Sequence, residues 1–331
     1  MRKLDILVPI YNEGEEVIST LLNSLLVQQN VDLKNDVGVI VCCDGGPTVL
    51  SEEFINKYPF TVEFYMCEHK GVSATRNACL DHSTAEYVMF CDCDDMFVSA
   101  CGLYIIFQEI NREGGFKSFS SIFVEEARVP DGKGNMIPYY INHEKDSTFV
   151  HGKVHNRQFL VDNNIRWNEN LTIHEDSFFN CLCQILAGEI KYSSNPFYLW
   201  RWRDSSICRH DKDYILKTYN NLLDSNTALV EEFLKRGMED TAKQYVTSMI
   251  YEAYFTLNKK EWIDQKNQDY RRAVEIRFKK YYNDYKKLFD ETPDNVKNQT
   301  IVGIKNRMFK EGMFLEQVTF ADWIKKIKKL K

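Results

Sequence analysis

Within the first hundred residues, four short apolar runs close on polar or acidic residues, and stretches of helical spacing separate them. The first run, Leu4 to Ile10, is suited to a strand buried on both faces of a parallel sheet. From Glu15 to Gln28, Val17, Leu21, Leu22, Leu25 and Leu26 recur as one helix face. Residues 36–43 (DVGVIVCC) are the second run and turn sharply through CDGGP at 43–47. Val62 to Cys67 is the third, followed by a helical stretch from Val72 to Asp81. Glu86 to Cys91 is the fourth and ends in Asp92-Cys93-Asp94-Asp95. Strand and helix alternating in this way specify a parallel sheet with right-handed crossovers. Ligands of such sheets bind beyond the carboxyl ends of the strands. Asn12, Glu13, Asp44, Asp92, Asp94 and Asp95 all fall at those ends, on one rim.

After Cys101 the alternation fades. Residues 103–112 read as a helix, 121–129 as a strand, 131–135 (DGKGN) as a turn, 154–163 and 175–187 as helices, and 196–202 as a closing strand. From about 211 long helical patterns take over; Val246, Met249, Ile250, Ala253, Tyr254 and Leu257 form one such face. The boundary therefore falls near 211.

Composition narrows the function classes. No stretch of 331 residues approaches the roughly 18 apolar residues of a membrane-spanning helix. The amino-terminal apolar run is broken at once by Pro9, Asn12 and Glu13, so it reads as a strand rather than a signal peptide. Cytoplasmic placement is the expectation. A net charge of −6 argues against a general nucleic-acid coat, although YRRAVEIRFKKYYNDYKK at 270–287 keeps nucleic acid open. The ten cysteines are scattered, mostly in apolar runs, and no pair of C-x2-C units suggests structural zinc.

The acidic run carries the chemistry. An Asp-x-Asp directly after a buried strand can present two carboxylates to Mg2+ or Mn2+, which share their oxygen ligands with substrate phosphates. A solvated acidic turn is the alternative, and the pair alone does not decide between them. Its context is VPIYNE at 8–13, Asp44 in CDGG, HKGVSATRNACL at 69–80, FCDCDD at 90–95 and HED at 174–176, in that order.

This order of motifs, over roughly residues 4–210, resembles the family 2 glycosyltransferases. The resemblance implies a GT-A fold: a Rossmann-like, mostly parallel sheet flanked by helices, here with an α-helical carboxyl-terminal region. The implied organisation is a catalytic domain over 1–210 and a helical region over 211–331 for acceptor binding, oligomerisation or membrane docking. The strand-one segment implies that Pro9, Tyr11 and Glu13 flank the nucleotide base and that Asp44 recognises it. The family often has two acidic residues there, whereas this chain has Cys43-Asp44. GVSATRN matches the family's G-x-S-x-A-R-N with Thr75 in place of alanine, and puts Arg76 near the nucleotide. Asp92 and Asp94 correspond to the Asp-x-Asp pair, on ribose and metal, with Mn2+ or Mg2+ as the implied cofactor.

Asp176, in a Glu-Asp pair at a helix start, corresponds to the general base. An inverting transfer needs such a carboxylate to take the acceptor's hydroxyl proton; a helix-capping acid is the plainer role for the same position. RWRDSSICRH at 201–210 resembles the segment that closes over the donor diphosphate, implying contacts from Arg201, Arg203, Ser205 and Ser206 and a metal role for His210. HGKVHNRQFL at 151–160 resembles a segment of the acceptor-side core, and its Lys153 joins the donor-binding set. His151 and His155, four apart, share a face if that segment is helical.

The expected reaction is an inverting, metal-dependent transfer from a nucleoside diphosphate-sugar, UDP-linked, to a hydroxyl acceptor such as a surface glycan or polysaccharide intermediate. Transfer to modified DNA or protein, or a non-catalytic nucleotide-sugar binding module, are the alternatives. A dehydrogenase is excluded by the missing G-x-G-x-x-G, and a nucleotidyltransferase by the acidic IYNEGEE after strand one. Finally, TFADWIKKIKKLK at 319–331 spaces Phe320, Trp323, Ile324, Ile327 and Leu330 as one stripe between lysines. That stripe either packs on its own domain, the favoured reading, or lies on the inner face of a membrane.

Overall fold

The computed structural model describes residues 1–204, 214–260, 263, 268–310, 312 and 318–330. The chain forms two compact units, Met1–Ser206 and Ile207–Lys331.

Unit 1 is built on one nine-stranded sheet. In chain order its elements are β1 (Leu4–Ile10), α1 (Glu15–Leu26), α2 (Leu33–Asp36), β2 (Val37–Cys43), α3 (Glu52–Asn56), β3 (Thr61–Met66), α4 (Val72–His82), β4 (Tyr87–Phe90) and β5 (Met96–Phe97). There follow α5 (Gly102–Ile110), β6 (Ser118–Pro130), β7 (Met136–His143), β8 (Lys153–Asn156), α6 (Arg157–Asp162), α7 (Glu175–Ala187) and β9 (Lys191–Trp200). The strand order is β3-β2-β1-β4-β8-β6-β9-β5, with β7 paired to β6.

The half of the sheet with helix crossovers is parallel: β1 pairs β2 and β4, and β2 pairs β3. Strands β1, β2 and β4 are buried along nearly their whole length, and β2 at every residue, which is why they read as unbroken apolar runs; the edge strand β3 is only partly buried. The other half is mixed. β8 runs antiparallel to β4 and β6, β7 antiparallel to β6, β5 antiparallel to β9, and only β6 with β9 is parallel. Residues 154–156, expected within a helix, belong instead to β8. The helix behind them begins at Arg157, where the Asn156 side chain accepts from the Phe159 N–H as its cap.

Two glycines shape the rim. A Cβ on Gly46 would stand 1.6 Å from the Tyr11 carbonyl oxygen, so the β2 turn can lie on the β1 turn only without a side chain. Gly71 starts α4 at φ +93°, a conformation that favours glycine. At the opposite end of β1, the buried Asp5 carboxylate accepts from Arg2, the Ser83 hydroxyl and the N–H groups of Thr84 and Ala85, tying β1 to the α4–β4 turn.

Unit 2 is helical, with α8 (Tyr214–Lys217), α9 (Tyr219–Lys235), α10 (Glu239–Leu257), α11 (Gln268–Glu291), α12 (Asp294–Lys310) and α13 (Phe320–Lys328). The α10 face expected from sequence buries Val246, Met249, Ile250, Ala253 and Leu257. The stripe of α13 is consumed inside the unit: Trp323 and Ile327 are fully buried, and the Trp323 ring lies 4.9 Å from Phe278 and 5.6 Å from Tyr254. Among the described residues no helix is long and apolar enough to cross one.

Candidate active site

The carboxyl ends of β1, β2 and β4, the loop after β3 and the start of α7 converge on one rim. At the β2 end, Asp44 accepts from the N–H groups of Lys70 (2.8 Å) and Gly71 (3.0 Å) and meets His69 Nδ1 at 3.0 Å. The Tyr11 ring lies 5.0 Å from the His69 ring, tilted 31°, and is half exposed. Its backbone N–H donates to Glu13 Oε2 at 2.9 Å. Tyr11 and His69 thus form an open aromatic shelf beside a fixed carboxylate. Pro9, within β1, pairs with Cys42 in the sheet.

Arg76, on α4 and buried, is the hub. Its Nη1 donates to Glu175 Oε1 (3.1 Å) and Asp176 Oδ1 (2.9 Å), and its Nη2 to Asp92 Oδ1 (3.1 Å). Its guanidinium carbon stands 4.3 Å from the centre of the Trp167 ring. Burial pulls the guanidinium's pKa down, but Asp176, Asp92 and Glu175 more than reverse this, so Arg76 stays charged. One cation therefore joins the β4 end to the α7 start. Glu175 and Asp176 open α7, where the helix dipole favours carboxylates. The residue before them, His174, sits at φ +64°, an uncommon conformation for a residue with a side chain.

Asp176 is pushed up to about 7. Burial is the main cause, helped by Glu175 and Asp92 and opposed by Arg76 and the Val150 N–H. Val150 donates to Asp176 Oδ2 at 3.2 Å and closes a tightly held loop. Asp146 Oδ1 accepts from Thr148 N (2.9 Å) and Phe149 N (2.7 Å), and Asn180 of α7 donates to the Thr148 carbonyl at 2.8 Å. Lys153 donates to the Phe149 carbonyl and stands 3.4 Å from Asp146. Burial lowers the Lys153 pKa and Asp146 opposes that. Lys153, expected to contact the donor, is buried, with its amine turned to the Phe149 carbonyl and Asp146 of this loop.

In the acidic run the three aspartates have different partners. Asp92 is held by Arg76. Asp94 Oδ2 accepts from Arg203 Nη1 at 3.0 Å, and the same nitrogen lies 3.8 Å from Glu13. Burial first and Asp92 second raise the Asp94 pKa, against Arg203. Asp95, fully buried, accepts from the Tyr198 hydroxyl (2.5 Å) and the Arg201 N–H (2.9 Å), and burial with Asp92 and Asp94 pushes it well up. Arg201 Nη1 donates to the Asp94 carbonyl at 3.2 Å.

His151 Nδ1 lies 3.7 Å from Asp95 Oδ2 and has no hydrogen-bond partner. Burial brings this histidine down to about 3, so it is neutral. Ligand atoms of Asp92, Asp95 and His151 lie within 4.8 Å of one another, a set able to hold a metal ion. Asp95 and His151 are members that the motif reading missed. The pairing of His151 with His155 on a helix face does not exist: His155 is in β8, with Nδ1 2.8 Å from the Ser118 hydroxyl. Ser205, Ser206 and His210 lie outside the described residues.

The geometry can be set beside known proteins. The glycosyl transferase family 2 profile matches residues 5–115. Poly(ribitol-phosphate) beta-N-acetylglucosaminyltransferase TarS of Staphylococcus aureus is 22% identical over 274 residues, covering 78% of this chain and 45% of the relative. The cholesterol galactosyltransferase of Borreliella burgdorferi is 22% identical over 284 residues, covering 78% and 75%. This chain spans less than half the length of the staphylococcal relative. The crystal structure of S. aureus TarS 1-349 in complex with UDP-GlcNAc superposes with a TM-score of 0.58 at 18% identity, covering 95% of this chain and 93% of that one. The two share a fold.

Proposed function

The chain belongs, through residues 5–115, to the family 2 glycosyltransferases of GT-A fold, and on that premise we propose an inverting transfer of a sugar from a UDP-linked donor to a hydroxyl acceptor. The observation that carries this reading is the Arg76 hub. A carboxylate raised to about 7, held beside the acidic run that follows β4, is what a general base in such a transfer requires.

In the proposed reaction the Asp176 carboxylate takes the acceptor's hydroxyl proton as its oxygen forms a bond to the anomeric carbon. The bond from that carbon to the diphosphate oxygen breaks with its electron pair, and the nucleoside diphosphate leaves. Tyr11 and Asp44 take the base, and Arg201 and Arg203 face the diphosphate, for which the guanidinium fork gives paired hydrogen bonds.

The residues fit a hard divalent ion. Burial and then Asp92 raise Asp94 against the single guanidinium of Arg203, and a divalent ion bound there would relieve the same crowding of negative charge. Asp92, with Asp94 as the motif implies or with Asp95 and His151, would hold Mn2+ or Mg2+, which would neutralise charge on a leaving diphosphate. The acceptor is proposed as a glycan or polysaccharide intermediate and the setting as cytoplasmic. The names of the two relatives above differ in acceptor and do not choose for this chain.

The test is nucleoside diphosphate release from a panel of nucleotide-sugars, with and without Mn2+, for the native chain, Asp94→Ala and Asp176→Asn. Metal-dependent release from one donor, lost in Asp94→Ala, supports the reading. No binding and no release across the panel sinks it.

A further inference from the structure

The outer halves of β6 and β7 form a two-stranded ribbon with exposed apolar side chains. Tyr139 is 54% exposed, Ile137 44% and Ile141 37%. The register sorts them, because residues directly opposite share a face. Phe123, Glu125, Ala127 and Val129 stand with His143, Ile141, Tyr139 and Ile137.

This face leads into the site. At its inner end His143 stacks on Phe123, with ring centroids 4.5 Å apart, and Phe149 lies 5.8 Å from Phe123. Phe149 stacks on His151 at 5.7 Å and meets Trp200 at 5.3 Å, and Trp200 is the sheet partner of Glu125. The residue after Phe149 is Val150, whose N–H holds Asp176. Ring contacts, with Phe123 and His151 buried beneath the surface, therefore link the exposed ribbon face to the loop that holds the carboxylate proposed as base.

We propose that this face is the acceptor platform, and that the acceptor is an uncharged sugar hydroxyl carried on an apolar body, a glycolipid-type alcohol. The proposal rests on the transferase reading above and names its acceptor class. Three observations carry it. The outer part of the face is aliphatic with one tyrosine, whose apolar ring and polar tip suit an amphipathic ligand. None of its residues is Lys or Arg, and its one acid, Glu125, lies 2.7 Å from His143. A phosphate-rich chain laid on it would meet a carboxylate and no cation. The free edge of β7 carries Pro138, which has no N–H to donate to a further strand, so the edge is protected against pairing while the face stays open.

The experiment titrates n-octyl β-D-glucopyranoside, below its micelle concentration, and methyl β-D-glucopyranoside into the full chain by calorimetry. The same titrations are made with the double variant Tyr139→Ser, Ile141→Ser. Both positions are on the surface, and circular dichroism confirms that the variant is folded. The octyl glycoside is expected to bind about tenfold or more tighter than the methyl one, and the ratio to fall within about threefold in the variant. Where a donor is turned over, the same ratio is expected in kcat/KM for the two acceptors.

Equal binding of the two glycosides, or a preference the variant keeps, overturns the proposal. So does stronger binding of a polyol-phosphate polymer, or a dimer in light scattering that the variant abolishes, which would assign the face to a second copy. The calorimetry needs no turnover. Failure of the whole donor panel with octyl glycoside binding intact therefore sinks the transferase reading and leaves the apolar platform standing.

Discussion

Asp176 faces opposed demands: it must be unprotonated to accept a proton and basic enough to keep it. Burial, Glu175 and Asp92 raise it to about 7 while Arg76 and the Val150 N–H hold it down. A carboxyl of that pKa is protonated below it, so kcat/KM for the acceptor should fall as pH drops through about 7 and level off above it. Glu175→Gln removes one of the raising charges, and its pH profile should show the acid limb displaced to lower pH. Asp176→Asn should cost roughly 10²–10⁴-fold in rate at the plateau, the usual range for a general base. The motif order put Asp176, Arg76 and Asp94 forward as candidates, and the fold brings Asp176 and Arg76 into contact. That order put Arg76 beside the nucleotide, however, and could not reveal that one guanidinium serves three carboxylates, because those contacts join residues 16 to 100 apart in the chain. The grouping of His151 with Asp92 and Asp95 was hidden for another reason: a lone histidine carries no periodic signal, and its neighbours suggested a helix.

At the scale of elements, the loop from Asp146 to Val150 is a strut assembled from side chains of three segments. Replacing Lys153 by Met leaves Asp146 and the Phe149 carbonyl without their amine. A stability loss of about 1–3 kcal/mol is expected in chemical denaturation. A loosened Val150 N–H would also let the Asp176 pKa rise, moving the acid limb to higher pH, the opposite of Glu175→Gln. Gly46→Ala should raise the donor KM, read in initial rates, since its Cβ has to displace the Tyr11 carbonyl. Strands β1, β2 and β4 were plain in the sequence because burial on both faces leaves an unbroken apolar run. β7 was not, because it is exposed at nearly every residue and so lacks the alternation of a half-buried strand. β8 is four residues long and runs straight into α6, so the helical pattern behind it absorbed it.

Across the whole of unit 1, the parallel half of the sheet follows from local alternation, whereas the mixed half depends on pairings that no local pattern announces. β4 meets β8 some seventy residues later, as Tyr87 opposite Asn156. The acidic rim is already answered from within: Asp92 by Arg76, Asp94 by Arg203, and Asp95 by the Tyr198 hydroxyl and the Arg201 N–H. Removing divalent cations with EDTA should therefore abolish donor turnover while leaving the thermal melting curve in place; a large fall in melting temperature would contradict this. The shared guanidinium of Arg76 also has a consequence for descent. Loss of Arg76 would leave Asp92, Glu175 and Asp176 without their shared cation, whereas loss of one acid leaves Arg76 paired with the other two. A descendant chain can therefore shed one of the acids more readily than it can shed the guanidinium.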